Sequence, residues 1–251
     1  MFYKSAVNKN MILQSIRLIL KKYRSARILY NEIAGFSLGT EEIKFSYSQF
    51  TRYLKGEIPI PDKNENIFER FIHNNFNLAT DLIQPDIEIN IDAVPIQVDM
   101  SRFLSYPNKV NLLAYHVINQ DHLRSKFDAI LTHPEAIPLA ISFSQILDVP
   151  WFSVTFRPPS VLPSRISQHP YLIDQELVRT AYFMNSQNIR KKNLLIVSDY
   201  VRRGGFLDIL FRVTDDNEAE VRFLLAIIGI GNTWKRFDME LEGNMKVIHF
   251  V

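Results

Sequence analysis

The sequence of 251 residues contains no cysteine. This absence excludes disulfides, thiolate metal sites and cysteine nucleophiles, and it is typical of proteins of the reducing cytoplasm. No apolar run reaches the roughly 18 residues that a membrane span needs, and the longest, at residues 223–230, predicts a buried strand. The first residues lack an apolar stretch followed by a small-residue cleavage site, so no signal peptide is expected. We therefore expect a cytoplasmic protein that does not bind membranes.

The chain also lacks a strong net charge, but its charges are unevenly distributed. The formal net charge is +2, while residues 1–80 hold 12 Lys and Arg against 7 Asp and Glu, and the remainder holds 17 against 20. A basic first third suggests that an anionic polymer binds to the N-terminal part. A chance fluctuation in surface charge explains the same numbers about equally well. The apolar share of 47% is sufficient for a sizeable core.

Residues 1–77 are predicted to form a small helical domain. Apolar residues recur at helical spacing in four segments, at residues 10–23, 26–34, 47–54 and 63–74. Ser46 is expected to cap the third helix and Gly56 to end it, and Asp62 is expected to cap the fourth.

From residue 82 onward, strands and helices alternate. Strands are predicted at residues 87–91, 94–100, 127–131, 151–156, 178–184, 193–198 and 221–228, and helices at residues 109–126, 137–147 and 207–213. Residues 157–175 contain four prolines and predict a long loop. The alternation predicts an α/β domain with a parallel sheet and flanking helices over residues 82–251.

The most informative segment is at residues 193–210. An apolar strand leads to Asp199, a short loop holds Gly204 and Gly205, and a helix follows at once. Helix N-termini present free N–H groups to anions, and glycines let the backbone approach them closely. Because ligands of open α/β sheets gather at the carboxyl ends of strands, the segment predicts a phosphate-binding loop. An ordinary strand-to-helix turn would have the same general form.

This segment resembles the phosphoribosyl pyrophosphate (PRPP) binding motif of type I phosphoribosyltransferases. That motif leads from an apolar strand through two acidic residues to Thr-Gly-Gly-Thr. Ser198 and Asp199 stand at the acidic pair, so one acid is kept, and residues 203–206 stand at the loop. Both glycines are kept, whereas Arg203 and Phe206 replace the threonines.

A second segment, residues 128–140, resembles the pyrophosphate loop of the same family. Its end, Ile-Pro-Leu-Ala, fits closely, but Glu135 stands where a basic residue is common and Ala136 where glycine is usual. Residues 147–157 resemble the strand that ends in the family's arginine, here Arg157. The resemblance covers residues 82–251 and implies the type I phosphoribosyltransferase fold.

The resemblance also implies a ligand site, but the departures argue against efficient turnover. A glutamate in the pyrophosphate loop would repel that leaving group, and Ser198 removes a ribose contact. Arg203 could instead clamp a phosphate. We therefore expect binding of PRPP, a nucleotide or a related phosphorylated ligand, with no catalytic residue. No cofactor or metal site is firmly indicated, although Mg²⁺ could accompany a PRPP-like ligand. The expected phosphate-binding residues are Ser198, Asp199, Tyr200, Val201, Arg202, Arg203, Gly204, Gly205 and Phe206, with His133, Pro134, Glu135 and Ala136 on the pyrophosphate side and Arg157 as a further ligand residue.

The N-terminal domain has the proportions of a helix-turn-helix between residues 25 and 56. Such proteins place the second helix in the major groove of DNA. The residues expected to contact DNA are Ser46, Tyr47, Gln49, Arg52 and Lys55. A helix-turn-helix followed by a phosphoribosyltransferase-like domain resembles archaeal sugar and nucleotide regulators and, more distantly, the bacterial purine repressor. The resemblance implies a homodimeric transcription regulator of purine metabolism that binds double-stranded DNA.

Two other functions remain open from the sequence. One is an active purine or pyrimidine phosphoribosyltransferase with a helical appendage, and the other is a protein-interaction module on a degenerate fold. A working enzyme should have an acid in place of Ser198, a base or glycine in place of Glu135, and threonine in place of Arg203.

Overall fold

The computed structural model describes residues 2–37, 45–93, 96–124, 126–158, 166–172, 178–201, 206–232 and 234–250. The chain divides into two compact units, residues 1–85 and 86–251. Among the described residues, no helix is both long enough and apolar enough to cross a bilayer.

The first unit is helical. Its helices are α1 (Phe2–Leu20), α2 (Ala26–Ser37), α3 (Tyr47–Lys55) and α4 (Asp62–Asn75), followed by a π-helical turn, Leu78–Ile83, and a 3-10 turn, Gln84–Asp86, which extends past the unit boundary. Helix α1 packs against α3 and α4, and α2 packs against the same two helices. Stacked aromatic rings join α3 to α4, as Phe50 and Phe68 show with a centroid distance of 6.2 Å. The helical prediction for residues 1–77 is therefore confirmed, and the unit continues eight residues beyond that boundary.

The second unit is built on a five-stranded parallel sheet. It begins with a small antiparallel pair, β1 (Glu88–Asn90) and β2 (Gln97–Asp99), and the helices α5 (Ser101–Leu104) and α6 (Pro107–Gln120). The sheet strands and their connections are β3 (Ala129–Thr132), a 3-10 turn at Pro134–Ala136, α7 (Ile137–Leu147), β4 (Trp151–Ser153), β7 (Asn193–Val201), α9 (Phe206–Asp216), β8 (Glu220–Gly229), α10 (Trp234–Glu240) and β9 (Met245–Phe250). An antiparallel hairpin, β5 (Ser167–Leu172) and β6 (Val178–Phe183), and a short helix, α8 (Ser186–Ile189), lie between β4 and β7 in the chain.

The strand order in the sheet is β4-β3-β7-β8-β9, and every neighbouring pair is parallel. Side chains that alternate along the strands, such as Leu131, Ile196 and Ala226, form one buried cluster with Leu210 of α9 and Phe237 of α10. Helix α7 packs against β3, β4 and β7. The predicted parallel sheet with flanking helices is therefore confirmed.

Some predicted element boundaries were wrong. The segment 157–175 is not a continuous loop, because β5 occupies part of it and carries Pro170. Proline is tolerated there because an outer strand has one edge on which its missing N–H is not needed. Asp62 does not cap α4; it is the first helical residue after Pro61. The helix predicted to reach residue 126 ends at Gln120.

Candidate functional site

The order of the strands fixes where a ligand site is expected. From β3 the chain passes to β4 on one side of the sheet, whereas from β7 it passes to β8 and β9 on the other side. The crossovers therefore diverge between β3 and β7, and a crevice forms outside the carboxyl ends of these two strands. Both segments that resemble family motifs leave the sheet at this point.

Strand β3 delivers His133 to this edge. Thr132 is the last residue of the strand, and its Oγ1 donates a hydrogen bond of 2.7 Å to the carbonyl oxygen of Val197 on β7. His133 follows in extended backbone and precedes the 3-10 turn that leads into α7. Its side chain is fully buried, although the sequence predicted it on the ligand-facing side. Pro134 is half-buried and Ala136 is buried.

Strand β7 delivers Ser198 and Asp199. The strand was predicted to end at Ser198, but its pairing with β8 continues to Val201, which lies opposite Gly229. Ser198, Asp199 and Val201 are buried strand residues, and Tyr200 is half-buried. The predicted loop therefore begins after Val201. Arg202, Arg203, Gly204 and Gly205 lie outside the described residues.

Strands β3 and β7 are joined at this edge through the His133 ring. Its Nδ1 lies 2.9 Å from Oε2 of Glu135, and its Nε2 lies 3.1 Å from Oγ of Ser198 and 3.1 Å from Oδ1 of Asp199. The same Asp199 oxygen accepts a 2.7 Å hydrogen bond from the backbone N–H of Tyr200. Positions 198 and 199 of the resembled motif are thus held from inside the protein.

The hydrogen-bond pattern favours a protonated His133. Oγ of Ser198 donates to the carbonyl oxygen of Tyr200 at 3.0 Å, so towards His133 it can only accept. Nε2 must then carry a proton, and Nδ1 carries one as well because Glu135 presents a carboxylate oxygen. Burial lowers the pKa of His133, but hydrogen bonds and charge attraction from Asp199 and Glu135 outweigh it and raise the pKa to about 9. In turn, the hydrogen bond from His133 lowers the pKa of Glu135.

Aromatic rings cover the imidazolium. Phe206, the first residue of α9, stacks on His133 with a centroid distance of 4.8 Å and an interplanar angle of 26°. Phe156, which follows β4, packs on Phe206 at 5.0 Å. Arg157 comes next in the chain, and its side chain is exposed. Phe206 therefore fills space beside His133, in the position where the resembled motif has a threonine.

The described residues of this edge do not fit a bound Mg²⁺. Magnesium prefers carboxylate oxygens, but both Asp199 and Glu135 are already engaged by an imidazolium. In the part of the chain that the structure describes, no group of three or more His, Asp or Glu side chains could hold a metal ion.

The proposed DNA-contacting residues lie on and beside α3. Ser46 and Gln49 form a reciprocal capping box, in which Oγ of Ser46 accepts from the Gln49 N–H and Oε1 of Gln49 accepts from the Ser46 N–H. Gly56 ends the helix in the left-handed conformation with φ of 77°. Ser46 and Gln49 are nonetheless exposed, so the cap faces solvent.

The other three residues of this set make weak contacts. The guanidinium of Arg27 lies 4.7 Å from the centre of the half-buried Tyr47 ring. Arg52 and Lys55 reach the exposed Glu57 at 3.5 and 3.7 Å. Exposed ion pairs of this kind contribute about 1 kcal/mol or less. These cations therefore remain available to a stronger anionic partner.

The sequence did not reveal the part that His133 plays, nor the contact of Phe156 with Phe206. His133 and Ser198 are 65 residues apart, the same separation as Thr132 and Val197, which are partners in the β3–β7 register. Only that register brings them together. The one sequence clue is the position of both residues directly at the ends of apolar strands.

Comparison with solved structures identifies the fold of the second unit. Adenine phosphoribosyltransferase from Thermoanaerobacter pseudethanolicus matches 67% of this chain and 98% of its own, with 16% identity and a TM-score of 0.55. The enzyme from Rhodothermus marinus matches 69% and 98%, with 16% identity and a TM-score of 0.56. The enzyme from Giardia lamblia, solved with 9-deazaadenine, matches 70% and 98%, with 12% identity and a TM-score of 0.57. The chain therefore contains the type I phosphoribosyltransferase fold, as predicted, with helices preceding it.

Sequence comparison adds no family. No protein-family model matches the chain, and no curated protein matches it either.

Proposed function

We propose that this protein is a DNA-binding transcription regulator whose phosphoribosyltransferase-like unit senses PRPP, a nucleotide or a related phosphorylated ligand. The observation that carries the proposal is the contact between Asp199 and His133. Asp199 is the one acid retained from the resembled motif, and a buried imidazolium already neutralises it. A carboxylate held in this way is poorly suited to proton transfer or to ribose recognition during turnover.

Ligand binding at this edge is supported by its position and by α9. The edge lies at the divergence of crossovers between β3 and β7, where α/β sheets bind ligands. Helix α9 has 11 residues and begins directly after the predicted phosphate loop. Its first free N–H groups and its dipole favour a phosphate. A phosphorylated ligand can therefore bind without the carboxylate chemistry that transfer needs.

DNA binding is supported by the charge and exposure of the first unit. Its first 80 residues hold five more cations than anions. Gln49, Arg52 and Lys55 are exposed on α3, and Ser46 is exposed as its N-cap. The pairs of Arg52 and Lys55 with Glu57 are weak enough for DNA phosphates to replace. We further propose a homodimer, because operators are commonly palindromic and a two-fold protein matches them.

An active phosphoribosyltransferase is the second candidate. The observation that favours it is the coverage of the fold, since solved adenine phosphoribosyltransferases align over 98% of their own length. Under this alternative, His133 would have to release Asp199 during the reaction. The two candidates differ in a measurable result, which is whether bound PRPP is consumed.

DNA binding by α3 is tested with Arg52→Ala. We expect weaker binding to a short mixed-sequence duplex, and the slope of log affinity against log salt should fall by about 1 because one phosphate contact is lost. Fluorescence anisotropy over a salt series measures both quantities. Arg190→Ala is the control, since it removes an arginine from the second unit whose side chain is also more than half exposed. Unchanged affinity and slope for Arg52→Ala would show that α3 is not the DNA-binding helix.

Ligand sensing is tested in the same assay. Adding PRPP or AMP at saturation should change the DNA affinity of the unmodified protein. An effector can regulate DNA binding only if its affinity differs between the DNA-bound and the free protein. If neither compound alters DNA affinity although one of them binds, the regulator proposal fails.

A further inference from the structure

Glu135 covers the Nδ1 side of the His133 imidazolium, and half of its own side chain is exposed. His133 itself is fully buried, and its Nε2 is satisfied inside the protein by Ser198 and Asp199. Its Nδ1 donates to Oε2 of Glu135 at 2.9 Å, and the Glu135 side chain is 50% exposed. A charged N–H donor at a ligand-binding edge is therefore occupied by a carboxylate from the protein itself.

The two carboxylates on this imidazolium are held very differently. Asp199 is only 7% exposed, and the backbone N–H of Tyr200 fixes the same oxygen that meets His133. Glu135 lies on a short 3-10 turn, and half of its side chain is in water. Rotating Glu135 into solvent rehydrates its carboxylate, and an incoming anion can take its place at Nδ1–H of His133. Moving Asp199 would instead leave its own charge buried without a partner. Glu135 is thus the carboxylate that can leave.

The local charge gives Glu135 a role in binding. Two carboxylates surround one imidazolium, so an incoming anion meets excess negative charge while Glu135 stays in place. Once Glu135 turns away, the Nδ1–H of His133 becomes a charge-assisted donor for a phosphoryl oxygen. We propose that Glu135 is an internal competitor for the anionic group of the ligand, which must displace it from His133. This inference rests on the proposed function, because it assumes that a phosphorylated ligand enters this edge.

The proposal specifies which chemical groups give a ligand an affinity that depends on Glu135. A terminal phosphoryl group carries more charge and more acceptor oxygens than a carboxylate, so it competes well for Nδ1–H. A neutral nucleoside offers no such group. The presence of Glu135 should therefore weaken the binding of anions and leave the binding of neutral ligands unchanged.

The test is a calorimetric titration of inorganic pyrophosphate into the full chain and its variants. Glu135→Gln keeps an acceptor but removes the charge, and Glu135→Ala removes both. Because the anion no longer has to displace a charged competitor, we expect roughly fivefold tighter binding for Glu135→Gln, which corresponds to about 1 kcal/mol, and at least as much for Glu135→Ala. Glu218→Gln is the matched control, since it removes an exposed carboxylate that pairs with Arg190 and Lys191 elsewhere, and its affinity should stay at the unmodified value.

A second readout follows the His133 ring directly by ¹⁵N NMR. Glu135→Gln should lower the pKa of His133, and pyrophosphate should raise it again by taking the place of the carboxylate. A merely structural glutamate would change the stability of the protein without this recovery.

The titration results distinguish a failure of the Glu135 inference from a failure of the proposed function. If the unmodified protein binds pyrophosphate and the Glu135 variants bind it no more tightly, Glu135 is not a competitor and only this inference is overturned. If the variants bind more weakly, Glu135 assists the ligand and the inference is equally refuted. If no form binds pyrophosphate, phosphate, PRPP or AMP, the ligand site itself fails, and the proposed function fails with it.

Discussion

At the scale of single residues, the candidate site depends on a charged histidine inside the protein. A buried ion is costly unless it is paired and hydrogen-bonded. His133 meets both conditions, because two carboxylates and one hydroxyl satisfy its ring nitrogens and Phe206 stacks on its face. Removing Asp199, the buried carboxylate of the two, should therefore have consequences well beyond the loss of one contact.

The first prediction at this scale concerns pH. In the folded protein the pKa of His133 is about 9, against 6.5 for the free side chain. Between these values the native state keeps a proton that the unfolded chain has released, so stability falls as pH rises. The contribution is fully present below 6.5 and is lost by about 9, and a shift of this size corresponds to about 3 kcal/mol.

Urea denaturation on either side of that interval measures the effect. His133→Asn should remove most of the pH dependence within it, and this variant should be less stable than the unmodified protein at the lower pH. His122→Asn replaces an exposed histidine and should preserve the dependence. Equal stability of the unmodified protein at both ends would mean that His133 is not charged as described.

The sequence predicted site residues that follow a local pattern, but it did not predict contacts that depend on the pairing of distant strands. Ser198 and Asp199 could be proposed as site residues because they follow an apolar strand in a recognisable spacing. The contact between His133 and Ser198 could not, since it depends on the β3–β7 register over 65 residues. The charge of His133 follows from that contact and was equally hidden.

At the scale of elements, local signals predicted structure well wherever they were strong. The cap at Ser46 and the stop at Gly56 were both confirmed, and α7 has its predicted bounds, Ile137–Leu147. Prolines misled the prediction for residues 157–175, because an outer strand tolerates proline and β5 is such a strand. Strand β7 ran three residues past its predicted end because pairing with β8, which is a tertiary contact, extends it.

The capping box on α3 gives the prediction at this scale. Ser46→Ala should destabilise the N-terminal unit by about 1 kcal/mol, because it leaves helix N–H groups without their acceptor. Ser48→Ala on the same helix is the control, since Ser48 is exposed and forms no part of the cap. Urea denaturation followed by circular dichroism compares the two. A loss for Ser46→Ala no larger than that for Ser48→Ala would contradict the capping role.

At the scale of the whole molecule, a basic helical unit precedes a unit with the type I phosphoribosyltransferase fold. The fold alone allows both transfer chemistry and ligand sensing. The choice therefore depends on the few residues at the carboxyl edge of the sheet. Our proposal of binding without transfer rests on three features of this edge: Ser198 in place of an acid, Asp199 held by His133, and the half-exposed Glu135.

The most direct test of this claim is a ³¹P NMR experiment in which the full chain is mixed with PRPP and each nucleobase in turn. We predict broadened or shifted PRPP resonances, which report binding, with no pyrophosphate beyond that in a sample without protein. Catalytic release of pyrophosphate together with an equal amount of nucleotide would contradict the account and identify the protein as a working phosphoribosyltransferase.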